Sequence, residues 1–531
     1  MSNQTEKVKW NDFFNLPNPG LRAYFSHVRS GSDEEYRTTF YRGKTPSQIL
    51  AGWKPTLTKI SKQWPSLYEF EEDLGKKVGP MSIMKPLSER MKDIDSYYDS
   101  ILLESKPIDE RAVAATVDWF SQLKGLRVRS QDRTVELMKK STNSGNPYFA
   151  KRKGVVHKTI PCYISDQQQH LTNSVWNCCA VLGWRGQEGG PNVEDVKQRV
   201  VWMFPFAVNI EELRLYQPLI EGCQHFDLVP AWVSMEAVDA RITKMFDSKG
   251  KDDLVICTDF SKFDQHFNSN MQQAALSILR QLVTDDATSR YWMDQVFPIK
   301  YNIPLAYDWG CIRSGPHGMG SGSGGTNADE TLVHRALQYE AAIKSNAQLN
   351  PHSQCLGDDG VLTYPGITVD DVVSAYSSHG QEMNLDKQYA SKHDCVYLRR
   401  WHHQDYRVDG VCAGVYSTNR ALGRLAEQER FYDPEVWGPK MIALRQLSII
   451  ENVKYHPLRE EFADYCMKGD RYRLGIDIPG FLDNIDSEAR KAMEYMPDFL
   501  GYTKSLQNEG KNSTNTGITG WWIVNYLKSK A

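Results

Sequence analysis

The chain has 531 residues, of which 40% are hydrophobic and 24% are charged. This length and apolar content predict a folded protein of three or four structural units, or one large multi-lobed enzyme. The formal net charge of −3 argues against a protein that simply coats nucleic acid, although such an average can hide a positively charged channel.

Targeting and redox signals point to the reducing interior of a cell. The first ten residues, MSNQTEKVKW, are polar, and no apolar run approaches the roughly 18 residues that a membrane span requires. Ten cysteines occur without a CxxC pair, and several lie in apolar, strand-like runs. We therefore expect a soluble protein that is neither secreted nor bound to a membrane.

Composition and periodicity divide the chain into five stretches. Residues 1–65 are polar and turn-rich, which predicts an extended N-terminal arm, and residues 66–205 alternate helical stretches with basic loops. Residues 206–410 alternate β-rich and helical runs, whereas residues 411–502 are mostly helical. Residues 503–531 form a Gly/Ser/Thr/Asn-rich linker that leads to an aromatic patch. The predicted fold class is α+β.

A basic segment in the second stretch suits a polyanion. Residues 124–158 contain ten Lys/Arg and two acidic residues. The turn SGNP at residues 144–147 interrupts this run, and we expect it to expose backbone amides among the cations. The alternative is an ordinary solvated surface.

Carboxylates at two places in the central stretch predict a metal site. An apolar strand at residues 254–258 ends in Asp259, and Asp264 follows before a helix that we expect to begin near Asn268. Further on, a hairpin places Asp358 and Asp359 at its tip. A strand end and a hairpin tip can face each other in one sheet, and carboxylates suit Mg²⁺ or Mn²⁺. The alternative is that these are turn aspartates without a metal.

A glycine-rich loop lies between the two carboxylate segments. Gly320, Gly322 and Gly325 fit the dinucleotide-binding spacing, but no strand precedes them, so that interpretation fails. A loop with Ser321 and Thr326 at a helix start suits close approach to a nucleic-acid backbone. The alternative is a simple helix cap formed by Thr326 or Asn327.

These three segments, in this order, resemble the viral RNA-dependent RNA polymerases. The matching motifs are D-x4-D (Asp259, Asp264), S-G-x3-T (Ser321, Gly322, Thr326) and G-D-D (Gly357, Asp358, Asp359). Within that family the likeness is greatest to the polymerases of picobirnaviruses and then of partitiviruses, and it spans essentially the whole chain. The resemblance implies a closed right hand, with fingers (66–205), a palm of antiparallel sheet and helices (206–410) and a mostly helical thumb (411–502), the arm bridging fingers and thumb.

The resemblance also implies roles for individual palm residues. Asp259 and Asp358 would be the principal ligands of two Mg²⁺ or Mn²⁺ ions, with Asp359 a weaker ligand. Asp264, helped by Ser321 and Thr326, would recognise the ribose 2′-hydroxyl. The residues whose backbone amides would meet the triphosphate are Phe260, Ser261, Lys262 and Phe263.

One position departs from the family pattern. The family often has asparagine nine positions after the motif serine, where this chain has Glu330. Asn327 is a neighbour but lies out of register. The residue that completes sugar selection is therefore left open by the sequence.

Further residues match the family outside the palm core. Arg199 and then Lys197 would grip the triphosphate, with a strand bearing surface cations as the alternative. Lys387 would protonate the pyrophosphate leaving group, unless it is an ordinary exposed lysine. The residues that would contact template or product RNA are Ser144, Gly145, Pro147, Gly322, Tyr397 and Arg399.

Two other patterns have plainer explanations. Residues near position 400 include possible zinc ligands, namely His393, Cys395, His402, His403 and Cys412. Their spacing follows no familiar zinc-ligand pattern. Trp521 and Trp522 follow the C-terminal linker, and we expect the tail to fold back and regulate a channel, with ordinary thumb packing as the alternative.

The sequence therefore predicts template-directed RNA synthesis from NTPs, with release of pyrophosphate, for a viral double-stranded RNA genome. The expected partners are template and product RNA, NTPs and a capsid protein, and the expected state is a monomer in the viral particle and host cytoplasm. The alternatives are a reverse transcriptase, which Asp264 disfavours, a carboxylate-dependent nuclease, and a capsid-associated RNA-binding protein without catalysis.

Overall fold

The computed structural model describes residues 9–493, 495 and 517–531. These residues form two compact units, each built from separate stretches of chain. Of the described residues, the first unit contains 9–31, 86–184 and 200–395, and the second contains 32–85, 185–199, 396–493, 495 and 517–531. In the described part of the chain, no helix is long and apolar enough to cross a membrane.

A four-stranded antiparallel sheet in the first unit contains the predicted carboxylate segments. Its strands follow the order Gln354–Leu356, Asp359–Leu362, Val255–Thr258 and Tyr389–Ser391. All four residues of Val255–Thr258 are buried, as their continuous apolar run predicts for a strand covered on both faces. We call this sheet the central sheet.

Helices surround the central sheet. Ser269–Leu282 begins where the sequence predicts, because the Asn268 side chain accepts hydrogen bonds from the amides of Asn270 and Met271. Its apolar face is buried, as the predicted spacing requires. The longer helix Thr326–Lys344 packs against the same helix and against the strand Gln354–Leu356. The other helices of this unit are Pro19–Ser30, Met91–Asp99, Glu110–Trp119, Gln131–Leu137, Val156–Thr159, Phe206–His225, Pro230–Val233, Met235–Ser248, Ala287–Tyr291, Ile299–Asn302 and Val369–Ser377.

The second unit is mainly helical and has its own apolar core. Trp53, Trp401 and Phe462 are buried in that core. Its helices are Pro46–Leu57, Pro65–Gly75, Thr418–Ala426, Pro434–Glu451, Arg459–Lys468, Ile485–Ala492 and Trp522–Lys530.

Among the described residues, the remaining strands form a second four-stranded sheet, two three-stranded sheets and a two-stranded sheet, and short helical turns join the elements. The strands are Tyr36–Arg37, Tyr163–Ser165, Gln168–Leu171, Ser174–Asn177, Ala180–Gln187, Lys197–Met203, Leu305–Asp308, Cys311–Arg313, Asp394–Tyr397, Arg400–His403, Val415–Tyr416 and Glu427–Gln428. The 3-10 turns are Trp10–Asp12, Thr58–Ile60, Leu87–Glu89, Ser100–Leu102, Ser121–Leu123, Arg152–Gly154, Val193–Asp195, Leu385–Lys387, Arg473–Gly475 and Ile518–Gly520, and Trp292–Val296 is π-helical. Helices and sheets together confirm the α+β class.

The expected extended conformation of residues 1–65 is wrong for the part that the structure describes. Two helices form there, Pro19–Ser30 and Pro46–Leu57, each with a proline in its first turn. Phe25 and Trp53 are buried on them. The local sequence is polar on average, but the apolar residues recur at helical spacing, which the average conceals.

The C-terminal helix packs on the core of the second unit. Glu451 accepts hydrogen bonds from the amides of Trp522 (3.1 Å) and Ile523 (2.9 Å), so a remote carboxylate caps this helix. Trp521 and Trp522 pack against the apolar core. These contacts favour ordinary packing for residues 517–531, while residues 503–516 of the predicted tail lie outside the described residues.

A buried ion pair supports the glycine-rich loop of residues 314–325. The ammonium of Lys300 lies 3.0 Å from Oδ2 of Asp329, and both side chains are fully buried. The hydroxyls of Tyr216 and Tyr301 each donate to Asp329 at 2.7 Å. The Lys300 carbonyl in turn accepts a hydrogen bond from the amide of Gly320 at 3.0 Å. The pair therefore joins the start of the helix Thr326–Lys344 to the loop before it.

We predict that Lys300→Met lowers the stability of the protein by about 3–5 kcal/mol, because Asp329 would remain buried without its cation. The double variant Lys300→Met/Asp329→Asn should recover part of the loss. Thermal denaturation followed by circular dichroism measures both. Lys244→Met, which changes an exposed helical lysine, is the matched control, and an unfolding midpoint for Lys300→Met equal to that of the control would contradict the prediction.

Candidate active site

The register of the central sheet brings the two carboxylate segments to one edge. Thr258 pairs with Gly360 on the neighbouring antiparallel strand. One residue further along this register, Asp259 lies opposite Asp359, and opposed residues of such strands have Cα atoms about 4.5–5.5 Å apart. Asp358 occupies the tip of the hairpin between Leu356 and Asp359. The predicted hairpin and strand end therefore meet in one sheet.

The hairpin tip is held by the helix Thr326–Lys344. Gly357 has a φ of 58°, which favours glycine, and its amide donates to the Thr331 hydroxyl at 2.9 Å. Burial lowers the pKa of His334 to about 4, so its imidazole is neutral. Because a carbonyl only accepts, Nδ1 of His334 donates to the Gly357 carbonyl at 2.8 Å. The aspartates that follow Gly357 thus project from a fixed turn.

The donor chemistry at this edge suits a hard cation. Asp259 and Asp358 are exposed and Asp359 is half-buried, so carboxylate oxygens face solvent at the hairpin tip. Within the described ranges, no group of three or more His, Cys, Asp or Glu side chains is placed to hold a metal ion. The assignment of Asp259, Asp358 and Asp359 as metal ligands therefore stays a prediction.

Residues 259–263 follow the strand Val255–Thr258, and some of their backbone amides are hydrogen-bonded within the protein. The Asp259 amide donates to Oε1 of Gln388 at 2.8 Å. The Ser261 amide donates to the Glu382 carbonyl at 3.0 Å, so it is not available to a triphosphate as predicted. The neighbouring side chains are also engaged: the rings of Phe260 and Phe263 pack at 4.8 Å, and Lys262 lies 4.0 Å from Asp93.

Asp264 lies between the glycine-rich loop and a buried glutamate. Its carbonyl accepts a hydrogen bond from the amide of Met319 at 2.9 Å. Burial raises the pKa of the Glu330 carboxyl group, which is 4% exposed, well above its ordinary value, and the negative charge of Asp264 raises it further. Asn327, the other candidate for sugar selection, accepts a hydrogen bond from the Trp232 indole at 2.8 Å. The charge of Asp264 thus acts on Glu330, whereas the side chain of Asn327 is engaged with Trp232.

The glycine-rich loop is braced by backbone and side-chain contacts. The helix cap is Gly325, so the expected cap role of Thr326 or Asn327 is wrong. Thr326 instead donates its hydroxyl to the Gly320 carbonyl at 3.0 Å, and the Ser321 hydroxyl accepts from the Trp202 amide at 3.2 Å. Their contact with a ribose stays a prediction.

Among the glycines of this loop, Gly322 lies closest to a neighbouring segment of the chain. A side chain at this position would collide with the carbonyl oxygen of Trp202. The glycine is therefore required by packing, which sequence spacing alone could not distinguish from a requirement for contact with RNA.

The turn at residues 144–147 differs from the prediction. Ser144, Gly145 and Pro147 are buried, so the expected exposure of their amides is wrong. The Ser144 amide donates to the Ala150 carbonyl at 2.6 Å, and the Gly145 amide donates to the Asn143 side chain at 2.7 Å. Their contact with template RNA stays a prediction without support from these contacts. Exposed cations flank the turn and can reach a polyanion; they are Lys151, Lys153 and Lys158.

Lys387 is exposed and ends the 3-10 turn Leu385–Lys387. Asn384 caps this turn, and the strand Tyr389–Ser391 of the central sheet follows it. The residue after Lys387, Gln388, both accepts from the Asp259 amide and donates to the Asp259 carbonyl, at 2.8 and 2.9 Å. This double hydrogen bond places the Lys387 backbone one residue from a side chain that contacts Asp259, and the general-acid role of Lys387 stays a prediction.

Predicted residues of the second unit form a cationic group of their own. Lys197 and Arg199 are exposed, whereas the Tyr397 side chain is buried, contrary to its predicted contact with RNA. Burial lowers the pKa of Arg399, and the positive charges of Arg420 and Arg199 lower it further.

Arg420 was missed by the sequence argument. Its guanidinium lies 2.8 Å from Glu188, which is also 3.9 Å from Arg399. Arg420 belongs to the helix Thr418–Ala426, where an arginine has the appearance of an ordinary surface cation. No signal in the local sequence shows that two arginines, Arg399 and Arg420, share one carboxylate.

The residues considered for zinc are explained by backbone contacts. His402 is buried, and its Nδ1 lies 3.0 Å from the Cys412 carbonyl oxygen. His403 Nδ1 accepts a hydrogen bond from the Asp405 amide at 3.0 Å. These contacts engage the imidazoles in the local turn.

Comparison with known proteins agrees with this geometry. A family model described as viral RNA-dependent RNA polymerase matches residues 92–410. A curated protein of Human picobirnavirus (strain Human/Thailand/Hy005102/-), named a potential RNA-dependent RNA polymerase, is 64% identical over 527 residues, which cover 98% of each chain.

Solved structures give the same result. The crystal structure of the RNA-dependent RNA polymerase of a human picobirnavirus matches with a TM-score of 0.93 and 63% identity, over 98% of this chain and 99% of that one. An insertion-loop deletion mutant of such a polymerase matches with a TM-score of 0.92 and 61% identity, again over 98% and 99% of the two chains.

These matches confirm the predicted polymerase fold, the enzyme class and the family resemblance, and they set aside the non-catalytic alternative. A polymerase of this kind binds RNA and nucleoside triphosphates, and the family in general depends on divalent metal. With the strand end at Asp259, the glycine-rich loop and the hairpin at Asp358 all in place, the chain belongs to the viral RNA-dependent RNA polymerases.

Proposed function

We propose that this polymerase replicates and transcribes a viral double-stranded RNA genome by joining NTPs on an RNA template and releasing pyrophosphate. The observation that supports this most directly is the register that sets Asp259 beside the hairpin of Asp358 and Asp359. Nucleotidyl transfer needs carboxylates at one place, since an attacking hydroxyl, an α-phosphate and a leaving group must be aligned there.

Asp259 and Asp358 would hold two Mg²⁺ or Mn²⁺ ions, with Asp359 in a weaker role, because exposed carboxylates at a fixed hairpin tip suit hard cations. Such ions, when bound, neutralise phosphate charge and lower the pKa of an attacking hydroxyl. The protein's own part is to fix the tip: Thr331 and His334 hold Gly357, and Gln388 holds the backbone of Asp259.

The substrate would be oriented by groups around this edge. The backbone amides of Phe260, Lys262 and Phe263 are candidates for the triphosphate. In the second unit, the exposed cations Arg199 and Lys197 are candidates for the same role by their charge. Asp264 would accept a hydrogen bond from the ribose 2′-hydroxyl, which distinguishes NTPs from dNTPs.

RNA would be bound chiefly through its backbone. Exposed lysines near residues 151–158 supply positive charge, so binding should weaken as salt rises. We further propose that the protein acts as a monomer in the viral particle and the host cytoplasm, in contact with a capsid protein.

We predict that Asp358→Asn abolishes RNA synthesis, with a fall in kcat of at least about 10²-fold, because one charged oxygen is lost at the reacting phosphate. RNA binding should persist, since the change removes negative charge. Incorporation of labelled NTPs and filter binding of RNA measure the two properties. Asp370→Asn, at an exposed helix start, is the matched control. Normal synthesis by Asp358→Asn would falsify the assignment.

We also predict that Lys387→Met lowers kcat by about 10²-fold while the KM for NTP changes little, because a general acid acts on the leaving group rather than on binding. Single-turnover incorporation across a range of pH measures this effect. Lys251→Met, at another exposed lysine, is the control. A rise in KM alone would show that Lys387 only binds the triphosphate.

A further inference from the structure

A three-stranded sheet at residues 163–177 of the first unit has one buried face and one face toward solvent; we call it the small sheet. Its antiparallel strands, in spatial order, are Tyr163–Ser165, Gln168–Leu171 and Ser174–Asn177. Ile164, Gln169 and Trp176 form one row across the strands, and all three are buried. Because side chains alternate along a strand, the neighbours of these three residues lie on the opposite face.

The solvent-facing side carries two stacked rings. Tyr163 pairs with His170 on the middle strand, and His170 pairs with Val175 on the third. The rings of Tyr163 and His170 have centroids 4.2 Å apart and an angle of 1° between their planes. His170 thus covers one face of the Tyr163 ring, yet Tyr163 is 54% exposed. The open part of this ring is therefore its opposite face and its edge. We call Tyr163, His170 and Val175 the aromatic row.

The stretch of chain that contains the aromatic row is strongly basic. Residues 137–184 include six Lys/Arg and one acidic residue, Asp166. Lys158 is exposed and precedes Tyr163 by five residues, which span at most about 18 Å. A polyanion at the aromatic row therefore meets attraction and little repulsion.

These features fit a single-stranded nucleic acid better than a peptide. An exposed ring can stack on a base of any identity, and nearby cations attract the phosphates. A peptide that added a strand to the small sheet would need open backbone groups along its edge. In the edge strand Tyr163–Ser165, however, the Ile164 amide donates to the Tyr291 hydroxyl at 2.7 Å. Bases of a duplex are stacked on one another, so a single strand is the better ligand.

We propose that the aromatic row binds single-stranded RNA, with a base stacked on the open face of Tyr163 and a phosphate near Lys158. This inference rests on the proposed function, to which it adds a base-stacking site on a different sheet from the carboxylates. The alternative is a cross-strand pair that only stabilises the small sheet. Loss of the Tyr163 ring would then lower stability but leave RNA affinity unchanged.

The first test maps the contact in the unaltered protein. Single-stranded RNA that contains 5-iodouridine is bound to the protein and irradiated, because this base forms a covalent bond with an aromatic ring on which it stacks. Trypsin cleaves after Lys158 and Arg185, so both rings of the aromatic row lie in one peptide, residues 159–185. Mass spectrometry should find RNA attached to this peptide at Tyr163.

The second test compares Tyr163→Ala with Tyr163→Phe. Fluorescence anisotropy of a labelled single-stranded RNA measures the Kd. We expect Tyr163→Ala to raise the Kd at least about fivefold, because a base loses its stacking partner, and Tyr163→Phe to stay within about twofold, because the ring remains. Tyr163→Ala should not change the slope of log Kd against log salt, whereas Lys158→Met should reduce that slope by about 0.7.

Phe226→Ala is the matched control. Phe226 is also an exposed aromatic residue of the first unit in ring contact with a histidine, but Asp227 follows it in the chain. Its loss should leave the Kd unchanged. Should circular dichroism show that Tyr163→Ala does not fold, Tyr163→Thr replaces it, because a β-branched residue suits a strand.

Three results would overturn the inference. They are RNA attached to other peptides but not to residues 159–185, a Kd for Tyr163→Ala equal to that of the unaltered protein, and equal losses of affinity in Tyr163→Ala and Tyr163→Phe. The second result would leave the exposed ring to sheet stability or to a protein partner. Failure of the unaltered protein to incorporate NTPs on an RNA template would instead overturn the proposed function, so the two failures are distinguishable.

Discussion

The antiparallel register between Val255–Thr258 and Asp359–Leu362 is the constraint on which the site depends. Side chains alternate between the two faces of a strand, so a slip of one residue would turn every side chain to the opposite face. The buried run of Val255–Thr258 prevents such a slip, because its apolar residues fill the space between the sheet and its helices. The position of Asp259 relative to the hairpin is thus fixed by hydrophobic packing that lies behind it.

The helix Thr326–Lys344 connects that packed interior to the site. Its first turns contain Asp329, which pairs with Lys300, while Thr331 and His334 hold Gly357. Three polar residues within six positions therefore contact two different segments. A helix used in this way must be almost entirely buried, and most of its residues are. Asp329 and Thr331 are hydrogen-bonded to groups of other segments, which is the condition for burying polar side chains.

Patterns of local sequence predicted the parts of this site that depend on periodicity. The strand before Asp259, the hairpin at Asp358 and the helix after Asn268 follow from runs of apolar residues and from turn residues, and all three are confirmed. The motif order also led to the family. The errors concern burial: residues 144–147 and Tyr397 have the composition of accessible groups, yet other segments cover them. Composition shows what a turn is made of, but not what packs over it.

Glu330 shows why partners, rather than residue types, decide the chemistry of this site. Five carboxyl groups lie along or near one edge of the central sheet, and their environments divide them into two kinds. Asp259 and Asp358 are exposed and can meet cations, whereas Glu330 is buried among acids. Burial and like charge raise the pKa of Glu330 and so favour its neutral form, whereas the same functional group at the exposed hairpin tip can meet a cation. At the position where the chain departs from its family's pattern, solvent exclusion rather than residue type therefore decides the charge of the carboxyl group.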